Sequence, residues 1–212
     1  AEQLGDVGQR FLNNTQPSLE AQVVNIADAI AYSNHDIDDG LRSGLIDIES
    51  MREVALFAQY HDDVRREFTA IGSRREALET IRRMINAMVV DLTEQTAQNI
   101  AEHQIVSIED VRAAPRLASG SNEMHQHMQT LKSHLMRHLY RHHQVMRTSF
   151  KAQRLMKDLF EAFMSEPRLL PHDYQTTEGV DAQARHSADY IAGMTDRYAM
   201  KEHARLFAVE SL

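Results

Sequence analysis

Asp28, Tyr32 and Asp36 stand at intervals of four in the run SLEAQVVNIADAIAYSNHDIDDGLRSG. Side chains at that spacing stack on one face of a helix. An acid, a phenol and a second acid thus project together from that face. A second group is His134, His138 and His142, at i, i+4 and i+8, which presents imidazoles to a metal from one helix face. No Asp or Glu lies in register with them, as an HExxH pattern requires. They are therefore expected to be surface or hydrogen-bonded residues beside a break in the chain. Three His-Asp pairs complete the candidates: His35-Asp36, His61-Asp62 in a charged run read as surface, and His172-Asp173 in a loop bounded by proline.

The element that must position the first group is a helix opened by Ser18, a residue suited to cap it. Leu19, Val23, Ile26 and Ile30 recur at helical spacing and point away from Asp28, so an apolar stripe anchors one side and the acids and phenol project from the other. A solvated polar face is the plain alternative. Against it, that side also carries Ala21, Ala29 and Ala31, small residues that admit another backbone or a ligand, where a washed helix usually carries Lys and Glu.

Before this helix, residues 1–17 read as a short helical piece and a loop, and the chain reads as beginning within a larger domain. After it, Asp38-Asp39-Gly40 is a turn candidate leading to a short helix from Leu41 to Ile46. Ser50 with Glu53 and Ser73 with Glu76 match capping boxes. The second opens the longest helix, with Leu78, Ile81, Ile85, Met88 and Leu92 on its apolar side. The run from Tyr60 to Phe68 reads as exposed. Ser107 to Asp110 starts a brief helix that Pro115 stops, and Ser119-Gly120-Ser121 is the expected flexible connection, without being a domain boundary. Residues Glu123 to Phe163 read as helical with a break near His142 and His143, and a last helical stretch runs from Val180 to about Phe207. No alternating segment demands a strand. The expected fold is all-α, a multi-helix bundle in which residues 1–212 form a single unit.

Composition narrows the function. The 212 residues carry 23 Lys plus Arg against 31 Asp plus Glu, a formal net charge of -8, which disfavours broad nucleic-acid or membrane-surface binding. With no cysteine there is no disulfide framework or thiolate metal site, and the usage fits a reducing cytosol, so a cytoplasmic location is expected. No apolar run approaches the ~20 residues of a membrane span.

The run NIADAIAYSNHDIDDGLRSGL resembles the bacterial deoxynucleoside triphosphate triphosphohydrolases, the dGTP triphosphohydrolase-like branch of the HD-domain phosphohydrolases, in the segment with the last metal-ligand Asp. ADYIAGMTDRYAMKEHARLF, at Ala188 to Phe207, resembles the C-terminal signature of that family, and LYRHHQVM around Tyr140 fits the helix between them. The blocks occur in family order. The resemblance implies the C-terminal half of such an enzyme, with the metal-binding His and His-Asp pair upstream of this sequence, so none of the three His-Asp pairs here is the HD motif.

Carried over by position, the resemblance makes Asp28 a ligand of a divalent ion, Mg2+ or Mn2+. Tyr32 matches the residue packed on the deoxyribose and Asp36 the acid that accepts from the sugar 3′-hydroxyl. Tyr140 matches a second aromatic near the sugar, with a core aromatic of satisfied hydroxyl as the other reading. Lys132 is a candidate phosphate contact, with a plain surface cation as its alternative. The implied reaction cleaves a deoxynucleoside triphosphate to deoxynucleoside and inorganic triphosphate, in a homo-oligomer completed by the N-terminal half. Two other readings stay open: a catalytically inactive helical interaction or regulatory module, and an HD hydrolase of another phosphorylated nucleotide.

Overall fold

The computed structural model describes residues 5–69 and 71–208, and among them there is no strand. The helices gather into two compact units, the first ending at His142 and the second beginning at His143. In the first, α1 (Gly5–Leu12) is followed by α2 (Leu19–Ser43), α3 (Ile48–Met51), α4 (Ala55–Glu67), α5 (Ser73–Glu102), α6 (Ile108–Ala113) and α7 (Asn122–Leu135), which runs into a π-helical turn, Met136–Tyr140.

Helix α2 begins as expected, with the Ser18 hydroxyl accepting from the Ala21 N–H at 3.4 Å. It does not turn at Asp38-Asp39-Gly40. It continues to Ser43 and stops at Gly44, whose φ of 71° is left-handed and whose N–H reaches the carbonyls of Gly40 and Leu41. The acids that suggested a turn have other work: Asp38 pairs with Arg74 of α5 at 2.5 Å. Gly40 is a place of close approach, because a Cβ there would lie 2.7 Å from the Ile46 side chain and 3.3 Å from Leu139. The segment read as a helix from Leu41 to Ile46 is thus the end of α2 and a loop.

Two expected capping boxes do not form. Asp47, accepting from the Ser50 N–H at 2.7 Å, caps α3 instead, and Val54 precedes α4 without a side-chain cap. Helix α5 starts at Ser73 itself, and Glu76 turns to His61, 2.9 Å from its Nε2. The run from Tyr60 to Phe68 is correspondingly not all surface. His61 and Val64 are buried, with His61 stacked on Phe57 and its Nδ1 3.0 Å from Arg52. The box at α6 does form, Ser107 with Asp110, and the helix ends before Pro115.

Ile30 and Ile37 of α2, Phe57 of α4, Met84 and Met88 of α5, and Leu131 and Leu135 of α7 make the core of this unit. Each contributes roughly 1.5–3 kcal/mol by leaving water. The loop expected to be flexible is tied to that core. Leu117 and Ala118 are fully buried, and their N–H groups donate to Oε1 of the buried Gln22 at 2.9 and 3.2 Å. Asn99 donates to the Leu117 carbonyl and the Ser121 N–H donates to Asp91.

The second unit holds α8 (His143–Ser165), short 3-10 turns at Pro167–Leu169 and His172–Tyr174, α9 (Val180–Ala192) and α10 (Asp196–Phe207). The break near His142 and His143 is present. The last stretch is two helices, because Gly193 ends α9 and Thr195 caps α10. Leu159, Phe163, Leu170, Ile191 and Ala199 form its core. Among the described residues, no helix is long and apolar enough to cross a membrane.

Candidate functional site

Helix α2 carries Asp28, Tyr32 and Asp36 on its unburied side while Ile30 and Ile37 face the core, with Ile26 packed against it in part and Val23 only partly buried. Asp28 is exposed, and its carboxylate meets no hydrogen-bond or ion-pair partner among the described residues. Tyr32 is 67% exposed. Asp36 is half-buried, and one of its oxygens accepts a hydrogen bond from the hydroxyl of Tyr140, 104 residues away in the chain.

Tyr140 reaches Asp36 because α7 does not end in a regular α-turn. The π-helical turn Met136–Tyr140 widens the last turn, buries Leu139 and leaves Tyr140 half-buried. Burial, then the hydrogen bond to Asp36 and that carboxylate's charge, with Tyr32 adding, push the Tyr140 phenol well above its ordinary value. It stays a protonated donor through the physiological range. A carboxylate accepts more than one hydrogen bond, so Asp36 keeps an oxygen for a second hydroxyl.

Lys132 lies exposed on α7, two turns before Tyr140. The structure thus brings Asp36 and Tyr140 into direct contact, with Tyr32 one turn from Asp36 and near enough to Tyr140 to raise its pKa. It places Asp28 further along the same helix, and it shows no contact joining Lys132 to the group.

Beside this face runs an apolar groove of about 590 Å³ between α2 and α5. Val23, Ala27, Ala31 and His35 line one side, and Ile85 and Val89 face them. His35 is exposed there, so the His35-Asp36 pair splits between groove and phenol contact.

The histidines depart from expectation. His134 is buried, 7% exposed, and His138 is half-buried, their rings stacked with centroids 4.3 Å apart. An acid does accompany them: Glu53, from the α3–α4 connection, brings a carboxylate oxygen to 3.7 Å from Nδ1 of His134. It was missed because no register rule links it to α7. Among the described residues, Glu53, His134 and His138 are the group of three or more ligating side chains close enough to share an ion, and His142 is not part of it.

In the second unit the Ala188 to Phe207 block serves packing. Tyr190 sits edge-on to Phe163 and shares a hydrogen bond with Tyr198 at 3.0 Å. Asp158 is held below the usual carboxylate range by its hydrogen bonds to His203 and Arg154, while Arg205 pairs with Glu202 on the helix surface.

A sequence profile described as Phosphohydrolase-associated domain matches residues 118–205. A protein of Bordetella pertussis named deoxyguanosinetriphosphate triphosphohydrolase-like is 53% identical over 207 residues, 98% of this chain and 54% of that protein. One of the same name from Ralstonia pickettii is 54% identical over 209 residues, 99% of this chain and 54% of its own length. A third, from Nitrosomonas europaea, is 47% identical over 207 residues, covering 97% of this chain and 55% of the relative. The chain spans about half the length of these curated relatives.

Proposed function

From the premise that this chain belongs with the deoxyguanosinetriphosphate triphosphohydrolase-like proteins and corresponds to their C-terminal part, we propose that it supplies one wall of a deoxynucleoside triphosphate triphosphohydrolase active site. The reaction is attack of water on the α-phosphorus with cleavage of the bond to the 5′-oxygen, giving deoxynucleoside and inorganic triphosphate. The observation that carries this reading is the Tyr140–Asp36 hydrogen bond, which joins two of the three blocks that resemble the family.

Tyr32 packs on the deoxyribose and leaves no room for a 2′-hydroxyl. Asp36 accepts from the 3′-hydroxyl with the oxygen that Tyr140 leaves open, and Tyr140 orients that carboxylate. Lys132 offsets triphosphate charge. Asp28 is the right donor for a hard cation, Mg2+ or Mn2+, but among the described residues no second or third ligand gathers around it. The other ligands belong to the part of the relatives' length that this chain does not span. A bound ion would supply Lewis-acid activation of the attacking water.

The groove beside Asp28 supports the same view, since an uncovered apolar face suits further packed chain. The two units act together in that larger protein, a cytoplasmic homo-oligomer. The test is release of inorganic triphosphate from a panel of deoxy- and ribonucleotides, by the 212-residue chain and by a polypeptide extended to the length of the relatives. Metal-dependent release is expected only from the extended form and preferentially from deoxynucleotides. Robust release by the short chain places the catalytic groups elsewhere.

A further inference from the structure

We propose that Glu53, His134 and His138 form a second cation site, distinct from Asp28 in place and in chemistry, that takes a borderline-soft divalent ion such as zinc. Their ligating atoms lie within 4.8 Å of one another. Around a tetrahedral ion with bonds near 2 Å the donors stand roughly 3.3 Å apart, so the group must close by up to about 1.5 Å. Glu53 is exposed and has the freedom to do so.

The second observation is unmet bonding. Nε2 of His134 and Nε2 of His138 are buried without a hydrogen-bond partner. A ring nitrogen in that position costs free energy that an ion would recover.

The backbone contributes as well. The π-helical turn starts at Met136, between the two histidines, so they are not held at the regular separation of an α-helical i, i+4 pair. Two imidazoles and one carboxylate leave a fourth position for water, and the donor set favours zinc over the oxygen-seeking Mg2+. An ion there would clamp the α3–α4 connection to the turn that carries Tyr140, and so steady the Tyr140–Asp36 contact from behind.

The experiment is zinc titration of the metal-stripped 212-residue chain against a chromogenic chelator, with thermal unfolding followed in parallel. One equivalent binding at about 1 µM or tighter, with a rise in Tm, is expected, and Mg2+ should produce neither. Glu53→Gln and His138→Gln, neither in the core, should each weaken that binding at least about tenfold and remove the Tm rise. His134→Ala should do the same where it folds. Asp28→Asn should bind zinc as the parent does, which separates this site from the proposed catalytic ion. Zinc bound with equal affinity by Glu53→Gln and His138→Gln, or bound with no rise in Tm, is adventitious binding by other histidines and overturns the proposal.

Discussion

The acid-and-phenol face of α2 and the Glu53, His134, His138 cluster lie in the same unit and both offer ligating groups, yet they are built in opposite ways. On α2 the groups come from one helix, are mostly exposed and carry oxygen donors. In the cluster two imidazoles, one of them buried, meet an acid from another part of the chain, and two ring nitrogens lack partners. An exposed carboxylate is stable without a ligand because water solvates it. A buried, unpartnered imidazole nitrogen is not, so the cluster shows its need within this chain, whereas the α2 face shows none.

The sharpest way to break the comparison is Asp28→Asn in the extended polypeptide. Removing the proposed ligand of the catalytic ion should lower triphosphate release by more than about 10²-fold and leave the unfolding midpoint nearly unchanged, since the carboxylate is exposed and unpaired among the described residues. A large loss of stability with retained activity would show that Asp28 serves the fold.

Gln22 sharpens the contrast from within α2. It is buried, and its side-chain oxygen accepts from two buried amides of the Leu117-Ala118 loop. Gln22→Ala should cost about 2–5 kcal/mol by leaving those donors unpaired, read as a lower urea midpoint. One helix would then carry a structural polar residue and, six residues on, a functional one.

These residues also mark what the sequence made legible. Helical periodicity and local caps act between near neighbours, so the α2 face, the helical class, the start of α6 at Ser107 and the break near His142 and His143 were all readable. Asp28, Tyr32 and Asp36 were readable as sharing a face because a four-residue spacing fixes their direction. Gln22, Glu53 and His61 were not, because their roles depend on partners brought close only by packing. Gly40 misled for the same reason: in sequence it follows two aspartates as a turn glycine does, but Ile46 and Leu139 fill the space its missing Cβ leaves. Tyr140 was left between core and site, and it is half-buried with its hydroxyl bonded to Asp36.

Sugar discrimination comes next in size. Asp36→Ala should weaken deoxynucleotide turnover at least about tenfold, from loss of a hydrogen bond to a charged group worth ~1.5–3 kcal/mol. Tyr32→Ala should chiefly relax the bias against ribonucleotides. Tyr140→Phe, which keeps the ring but frees the Asp36 carboxylate, should fall between parent and Asp36→Ala in kcat/KM. If Tyr140→Phe matches the parent while Asp36→Ala does not, the phenol is only a packing residue.

The smallest effect is the pH response of the cluster. His134 has its folded-state pKa held below the ordinary 6.5, by burial first and His138 second. Above 6.5 the ring is neutral in both states and makes no difference. As pH falls from 6.5 toward the depressed folded value, the unfolded chain takes up a proton that the folded chain refuses, so stability declines across that window. Urea midpoints measured in metal-free buffer at about pH 7.5 and 5.5 should show this decline, and His134→Gln should flatten it. Zinc makes a second demand of the same sign: it must be bound by neutral rings, so it should raise stability most at the higher pH and steepen the decline below. A midpoint difference between the two pH values that zinc leaves unaltered would keep His134 as a buried titrating group and remove the ion from the cluster.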